Sequence, residues 1–287
     1  MTEHGLRARL ARDKIIIAPG VFDMISARLA DRMGFEALYM TGYGVAASHL
    51  GLPDAGLMSY GDVLSRVTAL AGGTQTPILC DGDTGYGGLL NIRHTVRGFE
   101  AAGAAGIQIE DQEAPKKCGH TTGRRVVPLA DAVRRIEVAV DARSSADFLV
   151  IARTDARTAL GLDEALRRGE AFRRAGADLI FIEAPDSEDE FVRIGKALGA
   201  PLMANMVEGG RSPVLPAATL ARHGVRVAIY PATAFLAATA AMAAMYAQIK
   251  ATGTSLPAPV PLTAMADMHK LMGFEDVWAF ERKWAEV

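Results

Sequence analysis

The chain has 287 residues, of which 50% are hydrophobic and 22% charged, a composition typical of a globular enzyme. Its 31 basic and 33 acidic residues give a formal net charge of −2, which provides no electrostatic reason to bind nucleic acid. Two cysteines are too few to cross-link such a chain and lack zinc-site spacing, so we predict a reducing, cytoplasmic location. The polar N-terminus contains no apolar segment and therefore predicts no secretory signal.

Short apolar runs alternate with amphipathic stretches along the whole chain. The runs are mostly continuous, which is typical of strands buried on both faces of a parallel sheet. We predict strands at residues 15–19, 37–41, 77–83, 106–111, 148–155, 179–183, 201–205 and 225–230.

The segments between these strands have helical periodicity. Ser59 and Asp62 resemble a capping box that opens one helix, and Gly103 and Gly176 stand where helices end. The apolar residues of one helix recur at helical spacing at Leu162, Ala165, Leu166, Gly169 and Phe172. Arginines mixed with acidic residues are interpreted as solvated helix faces; they are Arg134, Arg135, Arg167 and Arg168.

Eight strands with seven crossovers favour a (β/α)₈ TIM barrel over a doubly wound sheet. In residues 100–110 and again in residues 172–183, the end of a helix is followed by a glycine, a strand and a glutamate. Such a repeated unit is expected in a barrel. No linker rich in glycine, serine or proline divides the chain. We therefore predict one barrel domain over residues 1–287, with additional C-terminal helices in a tail from about residue 257.

Residues 227–249 carry no formal charge and are numerous enough to span a bilayer. The segment begins as a strand-like run that ends at Pro231, and the rest is mostly alanine, which gains little on entering lipid. We predict a buried or interface helix here and no membrane association.

Polar residues follow the predicted strands at their C-terminal ends, where the active sites of barrels form. Asp81 and Asp83 end the third strand, and Glu110 ends the fourth. Such a cluster of hard oxygens suits Mg²⁺ or Mn²⁺ rather than Zn²⁺. The alternative is that these carboxylates cap the following helices, which applies best to Asp83.

A thiol and three basic residues follow the fourth strand in the segment KKCGH. Neighbouring cations ease the ionisation of a thiol, so Cys118 is a candidate acid or nucleophile. The alternative is an inert loop cysteine. Cys80 lies within a predicted strand and is interpreted as a small core residue.

The motifs DGDTGYG, IEDQ, KKCGH and ARTDA, in this order and spacing, resemble those of the isocitrate lyase/phosphoenolpyruvate mutase superfamily. More narrowly they resemble its short-chain lyases, which include 2-methylisocitrate lyase, 2,3-dimethylmalate lyase and related oxaloacetate hydrolases. The resemblance extends from about residue 16 to about residue 234. It implies a barrel enzyme that cleaves a carbon–carbon bond of a small 2-hydroxy dicarboxylate with the help of Mg²⁺ or Mn²⁺.

The resemblance also implies roles for individual residues. Asp81, Asp83 and Glu110 would bind the metal, with Asp54 in its outer shell unless Asp54 is only a turn residue. Cys118 would be the general acid on a mobile loop, with Lys116 beside it. Tyr39 would be a candidate base and Arg153 a charge partner of the substrate. The pocket would be lined by Thr41, Gly42, Tyr43, His120, Glu183 and Asn205, although Tyr43 could instead serve packing.

At three positions the chain carries a different residue from the one that the resemblance to 2-methylisocitrate lyase implies. Val207 stands in place of a threonine, Leu236 in place of an arginine and Gln108 in place of a histidine. An apolar lining at residues 207 and 236 favours an alkyl group over a third carboxylate, unless Arg211 supplies a cation. We therefore predict a substituted malate, cleaved to a 2-oxo acid and a carboxylic acid.

2-Methylisocitrate lyase and oxaloacetate hydrolase activities are the closest alternatives. A phosphonopyruvate or phosphoenolpyruvate mutase activity is disfavoured, because that branch has no KKCGH and its loop carries lysine and asparagine. A non-enzymatic barrel would require the convergence of these polar residues to be accidental. The resemblance further implies a homotetramer, a dimer of dimers with a swapped C-terminal helix, which the amphipathic segment 265–284 fits.

Overall fold

The computed structural model describes residues 5–12, 14–119, 121 and 123–285. Its strands are β1 (Ile16–Val21), β2 (Leu38–Met40), β3 (Ile78–Asp81), β4 (Gly106–Glu110), β5 (Leu149–Thr154), β6 (Leu179–Ile182), β7 (Leu202–Asn205) and β8 (Val225–Tyr230). Within the described residues these strands are parallel and close into a barrel in sequence order, with β8 bonded to β1. The predicted (β/α)₈ barrel is confirmed, and each predicted strand end lies within two residues of the observed one.

Helices and short helical turns connect the strands. They are α1 (Leu6–Leu10), α2 (Met24–Arg32), α3 (Gly42–Val45), a π-helical turn (Ala46–Leu50), α4 (Tyr60–Gly72), α5 (Leu89–Ala101), α6 (Leu129–Ala142), α7 (Ala156–Leu160), α8 (Leu162–Arg174), α9 (Glu188–Leu198), α10 (Ala217–Arg222), α11 (Thr233–Thr252), α12 (Met265–Met272) and α13 (Phe274–Trp284). The predicted capping box is present, since Ser59 and Asp62 bond each other's backbone N–H at the start of α4. Gly103 and Gly176, at φ of +93° and +95°, follow the ends of α5 and α8 as predicted.

The chain divides into two compact units, Met1–Ala234 and Phe235–Val287. The first contains the barrel. The second contains most of α11 together with α12 and α13, where the ring of Phe274 lies 4.7 Å from that of His269 and 5.8 Å from that of Trp278. The division begins within α11, earlier in the chain than the tail predicted from about residue 257.

Helix α11 meets the length and composition of a membrane span, with a mean hydropathy of 1.2. It is the one such helix found among the described residues, and none of the span is buried. The predicted helix after a strand is confirmed, but the interpretation of a buried helix is wrong. An interface helix, and the absence of membrane association, stay predictions.

Two apolar layers stabilise the barrel. An outer layer fills the space between strands and helices, and Cys80 belongs to it, as predicted for a core residue. Burial raises the pKa of the Cys80 thiol. An inner layer consists of strand residues with Leu6 of α1; among them are Tyr39, Leu79, Ile151, Phe181 and Met203. These inner residues set which later side chains face the barrel mouth.

Candidate active site

Polar side chains extend the inward-facing rows of the barrel. Successive side chains on a strand point to opposite faces, so a residue two positions beyond an inner-layer residue also points inward. The residues at such positions are Thr41, Asp81, Arg153, Glu183 and Asn205. On β4, Gln108 lies in register with Asp81, and Glu110 lies in register with Arg153. The structure thus brings these side chains together at one mouth, where the strands end.

Asp81 is held by two donors. Its Oδ1 accepts hydrogen bonds from the backbone N–H of Asp83 at 3.1 Å and from Gln108 Nε2 at 3.2 Å. A Cβ on Gly42 would lie 2.7 Å from Asp81 Oδ2, so glycine is required for this close approach. The orientation of the carboxylate is therefore set from both sides.

Asp83 leaves the strand with a φ of 47° and turns its carboxylate toward Lys116. Lys116 Nζ lies 2.8 Å from Asp83 Oδ1 and also pairs with Asp54. All three side chains are buried, so Asp54 is more than a turn residue. The alternative that Asp83 caps the next helix is wrong, since Gly88 is the N-cap of α5.

Arg153 lies among three carboxylates. Its guanidinium forms a two-point contact with Asp155 at 3.0 Å for each bond, and lies 3.4 Å from both Glu110 Oε2 and Glu183 Oε2. Burial alone would lower its pKa, but the surrounding carboxylates raise the pKa well above the usual value. Asn205 Nδ2 donates to Glu183 at 3.3 Å. Arg153 is therefore a permanent, oriented cation in the mouth.

The described residues between Glu113 and Arg125 belong to a loop over the mouth. Its base is a short antiparallel pairing in which the Glu113 N–H donates to the Arg125 carbonyl at 2.9 Å. The Cys118 N–H donates to the Asp54 carbonyl at 3.1 Å. A Cβ on Gly119 would lie 2.5 Å from Arg153 Nη2, so the loop touches the guanidinium directly. The pocket residue His120 lies outside the described residues.

Carboxylates outnumber cations in this mouth, and their burial favours the protonated forms. Burial raises the pKa of Asp81, raises that of Asp83 to about 6 and raises that of Glu110 well above its usual value, partly offset by Lys116 and Arg153. These shifts indicate a site that gains from an added positive charge.

A divalent cation fits this donor set. Glu110 Oε1 is buried and has no hydrogen-bond partner among the residues the structure describes. It adds to Asp81 and Asp83 as a hard oxygen donor. No described group of three or more His, Cys, Asp or Glu side chains forms a ready-made metal site, and Asp83 meets the ammonium of Lys116 instead. The fit therefore rests on the donor chemistry.

Tyr39, the predicted base, is 2% exposed, and its hydroxyl donates to Gln108 Oε1 at 2.9 Å. Burial and then the charge of Asp81 raise its pKa well above the usual value. This environment favours the neutral phenol, which is a hydrogen-bond donor. A base role for Tyr39 stays a prediction that its surroundings do not favour.

The other predicted pocket residues differ in their placement. Thr41 is buried, and its hydroxyl accepts from the Gly44 N–H at 3.3 Å at the start of α3. Tyr43 is 43% exposed, so it is not a core packing residue. Val207 is half-buried after β7. Leu236 is 44% exposed and belongs to the second unit, and its pocket role stays a prediction.

The interpretation of Arg168 as part of a solvated face is wrong. Arg168 is 3% exposed, and its guanidinium donates to Asp111 Oδ2 and to the Val127 carbonyl at 2.9 Å each. The sequence carried a usable signal, because position 168 lies on the same helical stripe as Ala165 and Phe172.

Side chains to which the sequence assigned no individual role hold the site in place. Asp155 binds Arg153 and Arg124, and Asp111 accepts from the Asp155 N–H at 2.9 Å. Gln108 was noted only as a difference from relatives, although its position two residues before Glu110 predicts that it faces inward.

The fold and this acidic mouth define an enzyme of the TIM-barrel class. The phosphoenolpyruvate phosphomutase family model matches residues 6–250. The chain is 43% identical over 280 residues to 2,3-dimethylmalate lyase of Eubacterium barkeri, covering 98% of this chain and 97% of that protein. It is 39% identical over 282 residues to 2-methylisocitrate lyase of Aeropyrum pernix, with 98% and 90% covered.

Solved structures agree with these relatives. A structure of 2,3-dimethylmalate lyase has a TM-score of 0.91 at 36% identity and covers 98% of this chain and 94% of its own. Oxaloacetate acetylhydrolase with 3,3-difluorooxalacetate has a TM-score of 0.92 at 33% identity, covering 97% and 95%. Phosphonopyruvate hydrolase with oxalate and Mg²⁺ has a TM-score of 0.89 at 31% identity, with full coverage of both chains (100% each).

The chain belongs to the phosphoenolpyruvate mutase/isocitrate lyase superfamily. The sequence-based prediction of this superfamily is thereby confirmed, as is that of a carbon–carbon lyase.

Proposed function

We propose that this enzyme is a Mg²⁺-dependent lyase that cleaves an alkyl-substituted malate into a 2-oxo acid and a carboxylic acid. The observation that carries the proposal is the position of Arg153, whose guanidinium lies 3.4 Å from Glu110 in the same buried mouth as Asp81 and Asp83. A fixed cation beside a set of metal-binding carboxylates suits a substrate that carries both a carboxylate and a chelating hydroxyl.

The proposed metal ligands are Asp81, Asp83 and Glu110, with Asp54 farther out. Mg²⁺ is favoured because it prefers oxygen donors and commonly keeps water ligands that a substrate can replace. The solved complex of phosphonopyruvate hydrolase with Mg²⁺ supports the choice. When bound, the ion would polarise the 2-hydroxyl and the neighbouring carboxylate of the substrate.

The chain's own residues then perform three tasks. Arg153 and Lys116 are cations that would stabilise negative charge as it develops on the substrate. The 2-hydroxyl loses its proton to a base, its oxygen forms a carbonyl, and the electrons of the adjacent C–C bond move into the departing carboxylate. The Cys118 thiol would return a proton to the carbon of that fragment. The loop that carries Cys118 would also exclude water.

The substrate class is inferred from charge and size. Val207 is half-buried after β7, and in the predicted pocket it would offer an apolar contact where a third carboxylate would need a partner. The 43% identity to 2,3-dimethylmalate lyase over nearly the whole chain supports the same choice. Oxaloacetate hydrolysis is the second candidate, favoured by the TM-score of 0.92 to oxaloacetate acetylhydrolase.

The test is a panel of substituted malates, 2-methylisocitrate and oxaloacetate, incubated with the purified enzyme and Mg²⁺. We expect a 2-oxo acid from 2,3-dimethylmalate, loss of turnover in EDTA, and recovery with Mg²⁺ or Mn²⁺. Release of oxalate from oxaloacetate as the dominant reaction would support the second candidate. Full activity of the metal-free enzyme would exclude both.

We further propose a cytoplasmic homotetramer with a swapped C-terminal helix. Support for association comes from α13, where Trp278, Phe280 and Trp284 are 42%, 65% and 64% exposed. Light scattering during gel filtration should give a mass near four times the 30.4 kDa of one chain. A monomer at micromolar concentration would contradict this.

A further inference from the structure

We propose that Arg124 and Asp155 form a positioning pair that orients Arg153 and holds the loop between Glu113 and Arg125 against the barrel mouth. The proposal rests on the proposed function only where it assigns Arg153 to substrate binding. Neither Arg124 nor Asp155 has a role in the chemistry described above.

Asp155 is the shared partner of two arginines from different parts of the fold. Its Oδ1 accepts from Arg124 Nη1 at 2.5 Å and from Arg153 Nη2 at 3.0 Å, and its Oδ2 accepts from Arg153 Nε at 3.0 Å. The side chains of Arg124 and Asp155 are fully buried. Since Arg153 lies in β5 and Arg124 belongs to the loop, one carboxylate joins the loop to the barrel.

Asp155 is itself fixed on the barrel side. Its backbone N–H donates to Asp111 Oδ1 at 2.9 Å, and Asp111 also binds the hydroxyl of Thr154 at 2.6 Å. The carboxylate therefore acts as a rigid anchor that the loop arginine reaches. Burial would raise the pKa of Asp155, but the two arginines lower it, so the anchor stays ionised.

Arginine is suited to this position because its guanidinium is a planar fork. While Nη1 of Arg124 binds Asp155, Nη2 donates to the Thr158 hydroxyl at 2.6 Å. A lysine could supply the charge but not both directed bonds. Thr158 belongs to α7 and Asp155 is the N-cap residue of the same helix, so Arg124 links the loop to the start of α7.

The loop meets Arg153 at a second point. A Cβ on Gly119 would lie 2.5 Å from Arg153 Nη2, the same nitrogen that binds Asp155. Arg153 is thus enclosed between Gly119 and the carboxylate that Arg124 holds. Withdrawal of the loop would remove the Gly119 contact with Arg153 and the Arg124 bond that helps to orient the Asp155 carboxylate. Loop docking is thereby coupled to the orientation of the substrate's charge partner.

The two cysteines provide a test that needs no substrate. Cys118 lies on the loop and is partly buried, whereas Cys80 is buried in β3. We would measure iodoacetamide alkylation of each by peptide mass spectrometry in wild type, Arg124→Met and Arg125→Met. Arg125 is a matched control, because its side chain is 78% exposed and pairs only with Glu113 among the described ion pairs.

We expect Arg124→Met to accelerate Cys118 alkylation by about tenfold or more. The loss of one buried ion pair should lower the equilibrium constant for loop docking by at least about tenfold. Arg125→Met should match wild type, and Cys80 should stay unreactive in both. Equal Cys118 rates in Arg124→Met and wild type would overturn the proposal. A reactive Cys80 in Arg124→Met would reveal global unfolding. In that case Arg124→Lys and Thr158→Val replace the methionine variant, and each must alkylate at Cys118 faster than wild type but more slowly than the unfolded variant.

A kinetic arm tests the link to Arg153. Arg124→Met should lower kcat/KM for the best malate by about a hundredfold, and Arg124→Lys should restore part of it. An unchanged kcat/KM with an opened loop would overturn the coupling to Arg153. If the wild-type enzyme has no lyase activity but Cys118 is still alkylated faster in Arg124→Met, only the proposed function is contradicted.

Discussion

Gln108 joins Tyr39 to Asp81: its Nε2 donates to Asp81 Oδ1 at 3.2 Å, while its Oε1 accepts from the Tyr39 hydroxyl at 2.9 Å. Because the phenol has one proton to donate and the carboxylate only accepts, this network sets the amide in one orientation. The amide carries no charge at any pH. It therefore directs a candidate metal ligand without adding a titrating group beside it.

Replacement of Gln108 by leucine should weaken binding of Mn²⁺, used as a spectroscopic substitute for Mg²⁺. Loss of such an outer partner typically costs about 10–100-fold in metal affinity or activity. Electron paramagnetic resonance titration measures the affinity directly. Gln75→Leu, at an exposed position just before β3, is the control. An unchanged Mn²⁺ affinity in Gln108→Leu would show that Asp81 needs no such support.

Tyr39→Phe distinguishes a hydrogen-bond donor from a base. The raised pKa of Tyr39 keeps the phenol protonated at neutral pH, so its loss should lower kcat by only about tenfold or less. A general base would contribute about 10²–10⁴-fold. Steady-state kcat with the best malate decides between the two, and a loss beyond a hundredfold would restore the base assignment.

Cys118→Ser should abolish most of the turnover while leaving oxalate and Mg²⁺ binding intact. A serine hydroxyl is a far poorer proton donor, and general acids contribute about 10²–10⁴-fold. Cys80→Ser is the matched control: it places a hydroxyl in the core, so it should lower stability more than kcat. Near-normal kcat in Cys118→Ser would return Cys118 to the inert alternative.

Arg168→Leu should destabilise the fold, because it leaves Asp111 buried with one partner fewer. Breaking a buried ion pair costs about 3–5 kcal/mol. The adjacent Arg167 is 62% exposed and pairs with Glu164, so Arg167→Leu should change stability by less than about 1 kcal/mol. Urea unfolding measures both, and equal effects would contradict the buried assignment.

Substrate size is tested by the ratio of kcat/KM for 2,3-dimethylmalate and 2-methylisocitrate. A buried third carboxylate without a partner costs about 3–5 kcal/mol, equivalent to a hundredfold or more in rate. Dimethylmalate should therefore be preferred, and Val207→Thr should narrow the ratio. A clear preference for 2-methylisocitrate would mean that a cation, for which exposed Arg211 is the candidate, reaches the pocket.

The barrel and the composition of its mouth were predictable from the sequence. Continuous apolar runs and the glycine stops at Gly103 and Gly176 depend on local backbone preferences, which neighbouring residues reveal. The carboxylates Asp81 and Glu110 directly end such runs, and parallel strands bring their ends to one face. The order of the strands around the barrel follows because consecutive strands pair.

The partners of each side chain were decided only in three dimensions. Arg168 and Asp111 are 57 residues apart, and Tyr39 and Gln108 are 69 apart. Chain order alone says nothing about such pairs, since a charged residue on a helix satisfies the same local pattern whether it is solvated or buried. Because burying an unpaired charge costs free energy, a charged side chain is buried only where the fold places an opposite charge beside it. The tertiary structure therefore decided that Arg168 belongs to the interior and that Arg124 meets Asp155.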